Sequence, residues 1–471
     1  MLEALQAGSA AASALHLADD EQIATFFESY AGGIEQHRDA LVERAHAETG
    51  LPKTPRLNAV ELPRTTEQLR QAAIAAREGS WRRPILDHAR KLYSIFSSLH
   101  GPVVVMGPNN FPFAFNSVSG GDFAAALVAH NPVIAKAHPA HPGTTRILAE
   151  IARHSITRAE LHPATLQLLY HVPNEVGLEL VSHPLTGATA FTGSRHGGLK
   201  LKAAADTAGK LVYLEMSSVN PVVILPGALR ERSAAIAAEF FASCTIGAGQ
   251  FCTNPGLLIV PDTEEGHKFV DTARQQFEHG VPGLLLGASV RDALSSAVAV
   301  LQSCGAKLLC GGSPLAGPAS RFSNTLLTIP GKDFLRHPDG LQTEAFGPVS
   351  LVVLSSDTDE TIAIVRSLAG NLTGSIYSDT KGNDDRDYAS VAPHLRQRVG
   401  RLINNRMPTG VTLSPAMNHG GPFPATAHPG FTAVGIPTSV HRFTALHCYD
   451  NVSLERLPKA LQAEFRKSLE V

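Results

Sequence analysis

One cysteine in this chain stands where a nucleophile would. Cys252 lies in Gly249-Gln250-Phe251-Cys252-Thr253-Asn254-Pro255, between a glycine and a proline that break any helix or strand. A loop cysteine with backbone N–H groups beside it can attack a carbonyl carbon as its thiolate. Two further residues could serve that attack. Asn110, in Pro108-Asn109-Asn110-Phe111-Pro112, offers a side-chain N–H2 to a developing oxyanion, next to the Cys252 backbone N–H. Glu215, in Leu214-Glu215-Met216, is a carboxylate between apolar neighbours and suits general-base work once desolvated. Each has a plainer alternative: a core cysteine beside a turn, a turn-capping asparagine, a solvated strand-end charge.

All three must be positioned by something regular. From residue 101 short apolar runs alternate with helical patterns. Strands are predicted at 103–106, 132–137, 166–172, 188–192 and 211–215, with helices at 114–129, 144–154, 175–182 and 199–208. After Asn220-Pro221 the alternation restarts. Strands are predicted near 222–225, 257–260, 325–329, 349–354, 372–377 and 400–404, and helices at 229–246, 264–279 and 288–303. Such alternation means βαβ units around parallel sheets, which bind ligands at the carboxyl ends of their strands. The expected fold is therefore α/β, with two parallel-sheet domains. Residues 20–48 and 60–78 read as a helical lead-in. Residues 79–100, with the only tryptophan, read as a hairpin arm or interface segment, or as a loop and a strand. Residues 419–435 (HGGPFPATAHPGFTAVG) form a long irregular stretch of the kind that often carries function.

Composition excludes several classes. With 471 residues, 44% hydrophobic and 17% charged, the chain can bury large cores and is not disordered. A net charge of −2 gives no reason to expect nucleic acid or an anionic membrane. Met1 to Asp20 lacks a basic start and is not read as a signal peptide, and there is no apolar run of about eighteen residues to span a membrane. Cysteines 244, 252, 304, 310 and 448 make neither a disulfide framework nor a CxxC pair, which suits a reducing, cytoplasmic setting. The 21 histidines are scattered, and His419 and His428 flank no carboxylate pair at ligand spacing, so no metal is expected.

Further motifs complete a pattern: Ala135-Lys136-Ala137-His138-Pro139, Phe191-Thr192-Gly193-Ser194, and Thr343-Glu344-Ala345-Phe346-Gly347-Pro348. With Asn110, Glu215 and Cys252, in this order, the chain resembles the NAD(P)-dependent aldehyde dehydrogenase superfamily over roughly residues 60–450. KAHPAHPGT, SSVNP, GQFCTNPG and HGGPFPAT look like the subgroup that contains 2,5-dioxovalerate (α-ketoglutarate semialdehyde) dehydrogenases. Where the commoner family sequence follows the glutamate with two glycines, this chain has Ser217-Ser218.

The resemblance implies two Rossmann-like domains and a small oligomerisation arm. Residues 1–78 and 101–217 would bind cofactor, 218–443 would be catalytic, and 79–100 with 444–471 would build a homodimer or homotetramer. It implies oxidation of an aldehyde to a carboxylate through a thiohemiacetal and a thioester on Cys252. Asn110 would hold the oxyanion and Glu215 would activate water. A CoA-acylating relative is the rival reading, and Glu215 argues against it. Gly193-Ser194, at a strand-to-helix junction without a GxGxxG pattern, would offer backbone N–H groups to the phosphates. Lys136 would meet the adenosine ribose, Glu344 the nicotinamide ribose, and Phe346 the ring. The carboxylate that commonly excludes a 2′-phosphate stands three residues after the lysine; here it is Pro139. With Lys136, His138 and Arg195 as attractive groups, NADP is expected over NAD, with NAD still used.

For the substrate, Phe111, Ala114 and Phe251 are expected to line the entrance, with Ala114 on a helix one turn past Asn110. That entrance reads as apolar and without an arginine. Arg401 and Arg406 are the only nearby cations this reading supplies, and medium-chain or aromatic aldehydes are the alternative substrates.

Overall fold

In this computed structural model, residues 1–317 and 319–469 are described. Fifteen strands are named in chain order. They are β1 (Ile85–Asp87), β2 (Leu92–Ser98), β3 (Val103–Met106), β4 (Val133–Lys136), β5 (Leu166–Leu169), β6 (Ala188–Thr192), β7 (Leu211–Glu215) and β8 (Val222–Ile224). There follow β9 (Leu257–Pro261), β10 (Lys307–Cys310), β11 (Thr325–Pro330), β12 (Val349–Ser355), β13 (Asn371–Tyr377), β14 (Val399–Asn404) and β15 (Thr444–Asp450). They form three sheets, ordered β5-β4-β3-β6-β7, β10-β11-β12-β9-β8-β13-β14, and β1-β2-β15.

The first sheet is parallel throughout. Its central strand Val-Val-Val-Met is buried at every position, as a strand covered on both faces must be. Strand order reverses between β3 and β6, so a crevice opens at their carboxyl ends. The second sheet is parallel except at its edge, where β10 runs antiparallel to β11. The sequence reading missed β10. Its first two residues, Lys307 and Leu308, are exposed, so it lacks the apolar run of a central strand.

The residues before the first sheet cover it. Helix Asp20–Gln36 starts with a capping box at Asp19 and lays Ile23, Phe26, Phe27, Tyr30 and Ile34 inward at helical spacing. Phe26 and Tyr30 pack on Phe123 of the sheet's own helix. A helix at Leu2–Leu17 was not predicted; it buries Leu5, Gly8, Ala11 and Leu15, a stripe weakened by alanine and glycine. Residues 79–100 supply the β1–β2 hairpin, and β15 adds to it antiparallel. The last two residues of the 444–471 segment lie outside the described ones.

One expected helix is shorter than its pattern. Residues 114–129 are helical only over Gly121–Val128. Before it, Asn116 Nδ2 donates to the Pro112 carbonyl at 2.9 Å and Ser119 Oγ to that of Phe113 at 2.7 Å, closing turns in place of a helix. Phe113 is fully buried and Ala114 is buried on a turn, so neither stands on a helical entrance face.

The two large sheets meet at the link after β7. Asn371, first in β13, accepts at Oδ1 from the N–H of Val219 at 2.8 Å and of Asn220 at 3.2 Å. Asn220 sits at φ 47°, a left-handed conformation that asparagine tolerates. Its Nδ2 donates to the carbonyls of Cys252 at 2.9 Å and Asn254 at 2.8 Å. Asn220→Gly keeps the backbone conformation and removes the amide. It should lower unfolding free energy by about 2–4 kcal/mol, as buried carbonyls lose their donors, read as a fall in midpoint on denaturant unfolding. An unchanged midpoint would mean the link is held elsewhere.

Candidate active site

The Cys252 loop is shaped by backbone requirements. Gly249 has φ +69°, and a Cβ there would lie 2.2 Å from the Gly347 backbone, so only glycine lets the two loops touch. Gln250 fixes the next step: its Nε2 donates to the Leu284 carbonyl at 3.1 Å and its Oε1 accepts from Leu286 N–H at 2.8 Å.

Asn110 is set against this loop. Its Nδ2 donates to the Gln250 carbonyl at 2.9 Å, leaving the second hydrogen of the amide for an oxyanion. Its own carbonyl accepts from Arg56 Nη2 at 2.9 Å. Arg56 is paired at 2.9 Å with Glu61, a carboxylate with no exposed surface. Glu61 Oε1 also accepts from the N–H groups of Phe113 at 2.8 Å and Ala114 at 3.1 Å. Burial pushes the Glu61 carboxyl up, and Arg56 and these N–H groups oppose it. The contribution of Ala114 at this site is thus its backbone, held on Glu61.

Glu215 ends β7 with 2% exposure. The stretch from His419 onward returns to it. Met216 N–H donates to the Ala425 carbonyl at 2.8 Å, and Glu215 bridges Thr426. That contact places His419 Nε2 3.0 Å from Glu215 Oε1 and 3.4 Å from Cys252 Sγ. His419 is itself held, its N–H donating to Thr432 Oγ1 at 2.9 Å. Glu215 Oε2 is buried and accepts no hydrogen bond among the described residues.

This cluster governs the thiol. Burial pushes the Cys252 thiol well above its usual range, and the Glu215 carboxylate pushes it further. A thiol so placed stays protonated at neutral pH until a base takes its proton. One ring nitrogen of His419 faces both groups, so it can accept the proton from sulfur and, once charged, donate a hydrogen bond to the Oε1 of the Glu215 carboxylate. Sequence reasoning missed His419. The only signal was the Gly/Pro/His-rich stretch, and a partner carboxylate 204 residues earlier has no spacing to betray it. Glu215, Cys252 and His419 also bring three metal-ligand atom types within 4.8 Å of one another, a grouping that scattered histidines did not suggest.

A cleft of about 510 Å³ runs from Cys252 across the carboxyl ends of the first sheet. It brings together Asn110, Lys136, His138, Gly193, Ser194, Glu215, Cys252, Glu344 and Phe346. Arg195 is exposed and outside its wall, and the half-buried Phe111 and Phe251 also lie outside it. Burial lowers Lys136. Burial, with His141 and Lys136 near, pushes His138 down to about 3, so it is neutral. Its Nδ1 accepts from Ala140 N–H at 3.1 Å, which leaves Nε2 as a donor. Glu344 accepts from Ser218 N–H at 3.3 Å, and burial raises it to about 7. Gly193 N–H is not available to a phosphate as expected, for it donates to the Glu215 carbonyl at 3.1 Å. Ser194 caps helix Arg195–Thr207, whose first-turn amides could meet an anion in its place.

The entrance differs most from expectation. Phe111 packs edge-on against Phe115 at 5.1 Å and Phe251 at 5.5 Å. Arginines are present: Arg56 lies 4.3 Å from the Phe111 ring centre and Arg64 lies 5.7 Å from that of Phe115. The sequence placed both in or before a lead-in helix, far from the motifs. Arg406 is exposed, whereas Arg401 is half-buried.

A model of the aldehyde dehydrogenase family matches residues 1–423. The chain is 40% identical over 450 residues to alpha-ketoglutaric semialdehyde dehydrogenase 2 of Azospirillum brasilense, covering 93% of this chain and 84% of that protein. It is 34% identical to alpha-ketoglutaric semialdehyde dehydrogenase of Acinetobacter baylyi, covering 94% and 84%. Among solved structures, a mutant of aldehyde dehydrogenase C of Pseudomonas syringae complexed with NAD+ and octanal matches with TM-score 0.79 and 19% identity, covering 95% and 88%. Glyceraldehyde-3-phosphate dehydrogenase of Methanocaldococcus jannaschii complexed with NADP matches with TM-score 0.79 and 20% identity, covering 95% and 93%. At these identities the structures speak for the fold.

The thiol's dependence on His419 is measurable without substrate. In His419→Gln, alkylation of Cys252 by iodoacetamide at pH 7 should slow by about tenfold and recover as pH rises, since thiolate must then form unaided. The Cys252→Ala protein supplies the background. Equal rates in both proteins at pH 7 would remove His419 from thiol activation.

Proposed function

The chain belongs to the aldehyde dehydrogenase family, and we propose that it oxidises 2,5-dioxovalerate to 2-oxoglutarate with NADP as the preferred acceptor. The observation that carries the chemistry is the meeting of Cys252, His419 and Glu215 at one end of the cleft. His419 takes the thiol proton, and the thiolate adds to the aldehyde carbon. The resulting alkoxide lies between the free hydrogen of Asn110 Nδ2 and the Cys252 N–H. Bound NAD(P) supplies a two-electron acceptor. Cys252 then carries a thioester. Glu215, through the unpaired Oε2, draws a proton from water as that water attacks. The carboxylate product leaves, Cys252 is restored as thiol, and two protons are released.

The cofactor's place is supported by the residues the cleft gathers. Glu344 would accept from the nicotinamide ribose hydroxyls and Phe346 would pack near the ring. The first turn after Ser194 would meet the phosphates, and Lys136 and His138 would meet the adenosine side. Pro139 is exposed and carries no charge, so nothing there repels a 2′-phosphate. Arg195 would reach that phosphate from the adjoining helix start. We take the enzyme to be cytoplasmic, and to be a homodimer or homotetramer through the β1–β2–β15 arm.

The aromatic trio of Phe111, Phe115 and Phe251 favours a second reading, a medium-chain or aromatic aldehyde as substrate. A panel of 2,5-dioxovalerate, hexanal and benzaldehyde compared by kcat/KM separates the two. The semialdehyde should lead; a roughly tenfold advantage for either of the others would reverse the assignment.

Cys252→Ala should abolish oxidation while cofactor still binds. Glu215→Gln should give a burst of reduced cofactor and then stall, because hydrolysis alone needs the base. Loss of the burst would give Glu215 an earlier role, and rescue of turnover by CoA would favour the acylating chemistry. With NADP the wild-type kcat/KM should exceed that with NAD, and Arg195→Ala should raise KM for NADP only. A preference for NAD would overturn the cofactor assignment.

A further inference from the structure

Two arginines near Cys252 have no carboxylate in direct contact among the described residues, though Glu61 acts on Arg64 from further off. Arg64 is the third residue of helix Leu62–Glu78, and Arg401 lies on β14. Neither pairs with a carboxylate within 4.0 Å among the described residues, whereas Arg56 beside them is neutralised by Glu61. Both are half-buried. A desolvated guanidinium without an anion is costly unless some anion arrives.

Their other contacts aim them at one place. Arg64 Nη1 donates to the Val411 carbonyl. Arg401 Nη2 donates to the carbonyls of Pro408 at 2.9 Å and Gly410 at 3.0 Å, and its Nη1 reaches Met417 Sδ at 3.8 Å. The two side chains therefore hold the same short segment, which is tied to the residue after the nucleophile, since Gly410 N–H donates to Thr253 Oγ1 at 3.0 Å. Each keeps an unused donor: Arg64 Nη2 and Arg401 Nε are buried and unpaired. Both guanidiniums also lie within Coulombic reach of the Cys252 sulfur. Arg64 sits over Phe115, whose ring centre is 5.9 Å from that of His419.

We propose that Arg64 and Arg401 form a binding site for a carboxylate at the end of the substrate remote from the aldehyde. An aldehyde group held at Cys252 by a short chain would deliver that carboxylate to the unused N–H groups. Charge-assisted hydrogen bonds of this kind are strong and directional. The phenyl rings of Phe111, Phe115 and Phe251 would flank the methylene chain. The inference rests on the semialdehyde reading and adds the residues that would select for it.

The rival is a purely structural clamp on residues 408–411, and the test separates them. Glutarate, a five-carbon dicarboxylate that cannot be oxidised, is used as an inhibitor against pentanal. In Arg64→Met and Arg401→Met its inhibition constant should rise by roughly thirtyfold. The ratio of kcat/KM for 2,5-dioxovalerate to that for pentanal should fall by a similar factor, and Arg64→Lys should recover part of both. Equal losses with both aldehydes, or an unchanged glutarate constant, would overturn the site and leave the two arginines as a clamp. If the wild type fails on 2,5-dioxovalerate but glutarate inhibits through these arginines, the carboxylate site stands and the substrate reading falls. If the semialdehyde is oxidised and the variants keep the wild-type ratio, the reverse holds.

Discussion

One side-chain amide ties the two halves of the reaction centre together. Glu215 belongs to the first sheet and Cys252 to a loop of the second, and the sheets share no strand. Asn220, between them in sequence, donates to the Cys252 and Asn254 carbonyls. Asn371 in turn holds the backbone of Val219 and Asn220 from the head of β13. Without this bracket the distance from carboxylate to sulfur would depend on loop packing alone. With it, Glu215 and Cys252 are referenced to the same strand end, which is the preorganisation that the proposed acyl chemistry would need.

Electrostatics then sets how the centre works. A thiol surrounded by protein and facing a carboxylate resists ionisation. Glu344, raised to about 7 by burial, adds a second acid whose charge is costly there. The site is thus poised to hold few negative charges at once, and an imidazole touches both sulfur and carboxylate. Cation and anion are balanced further out, where Arg56 is matched by Glu61 and holds the asparagine loop from behind.

Much of this was legible from residue order. Strands β3, β6 and β7 coincide with the predicted ones because central parallel strands read as short apolar runs between helices. The cleft gathers Asn110, Lys136, Gly193, Ser194, Glu215, Cys252, Glu344 and Phe346, since each stands at or near a strand end. What escaped has physical reasons. His419 and Glu215 meet through tertiary pairing of an irregular stretch, which has no period. Arg64 rides a helix whose apolar spacing says only which face is buried. The turn at 113–120 defeats helix prediction because Asn116 and Ser119 spend their side chains on nearby carbonyls. Gly193 loses its N–H to a neighbouring strand, a competition no motif records.

The stretch that carries His419 is packed backbone against backbone. A Cβ on Gly400 would lie 1.7 Å from the Gly420 carbonyl oxygen, one on Gly421 2.2 Å from that of Asn371, and one on Gly370 2.1 Å from that of Pro422. Such seams have no side chain that can be exchanged for a larger or smaller one. Directed evolution of this enzyme toward other aldehydes would therefore find the strap closed to it. Variation would be tolerated at the aromatic rim, whereas the arginines beside it also hold backbone near Asn110 and Cys252, so selectivity can drift at the rings with less disturbance of the site.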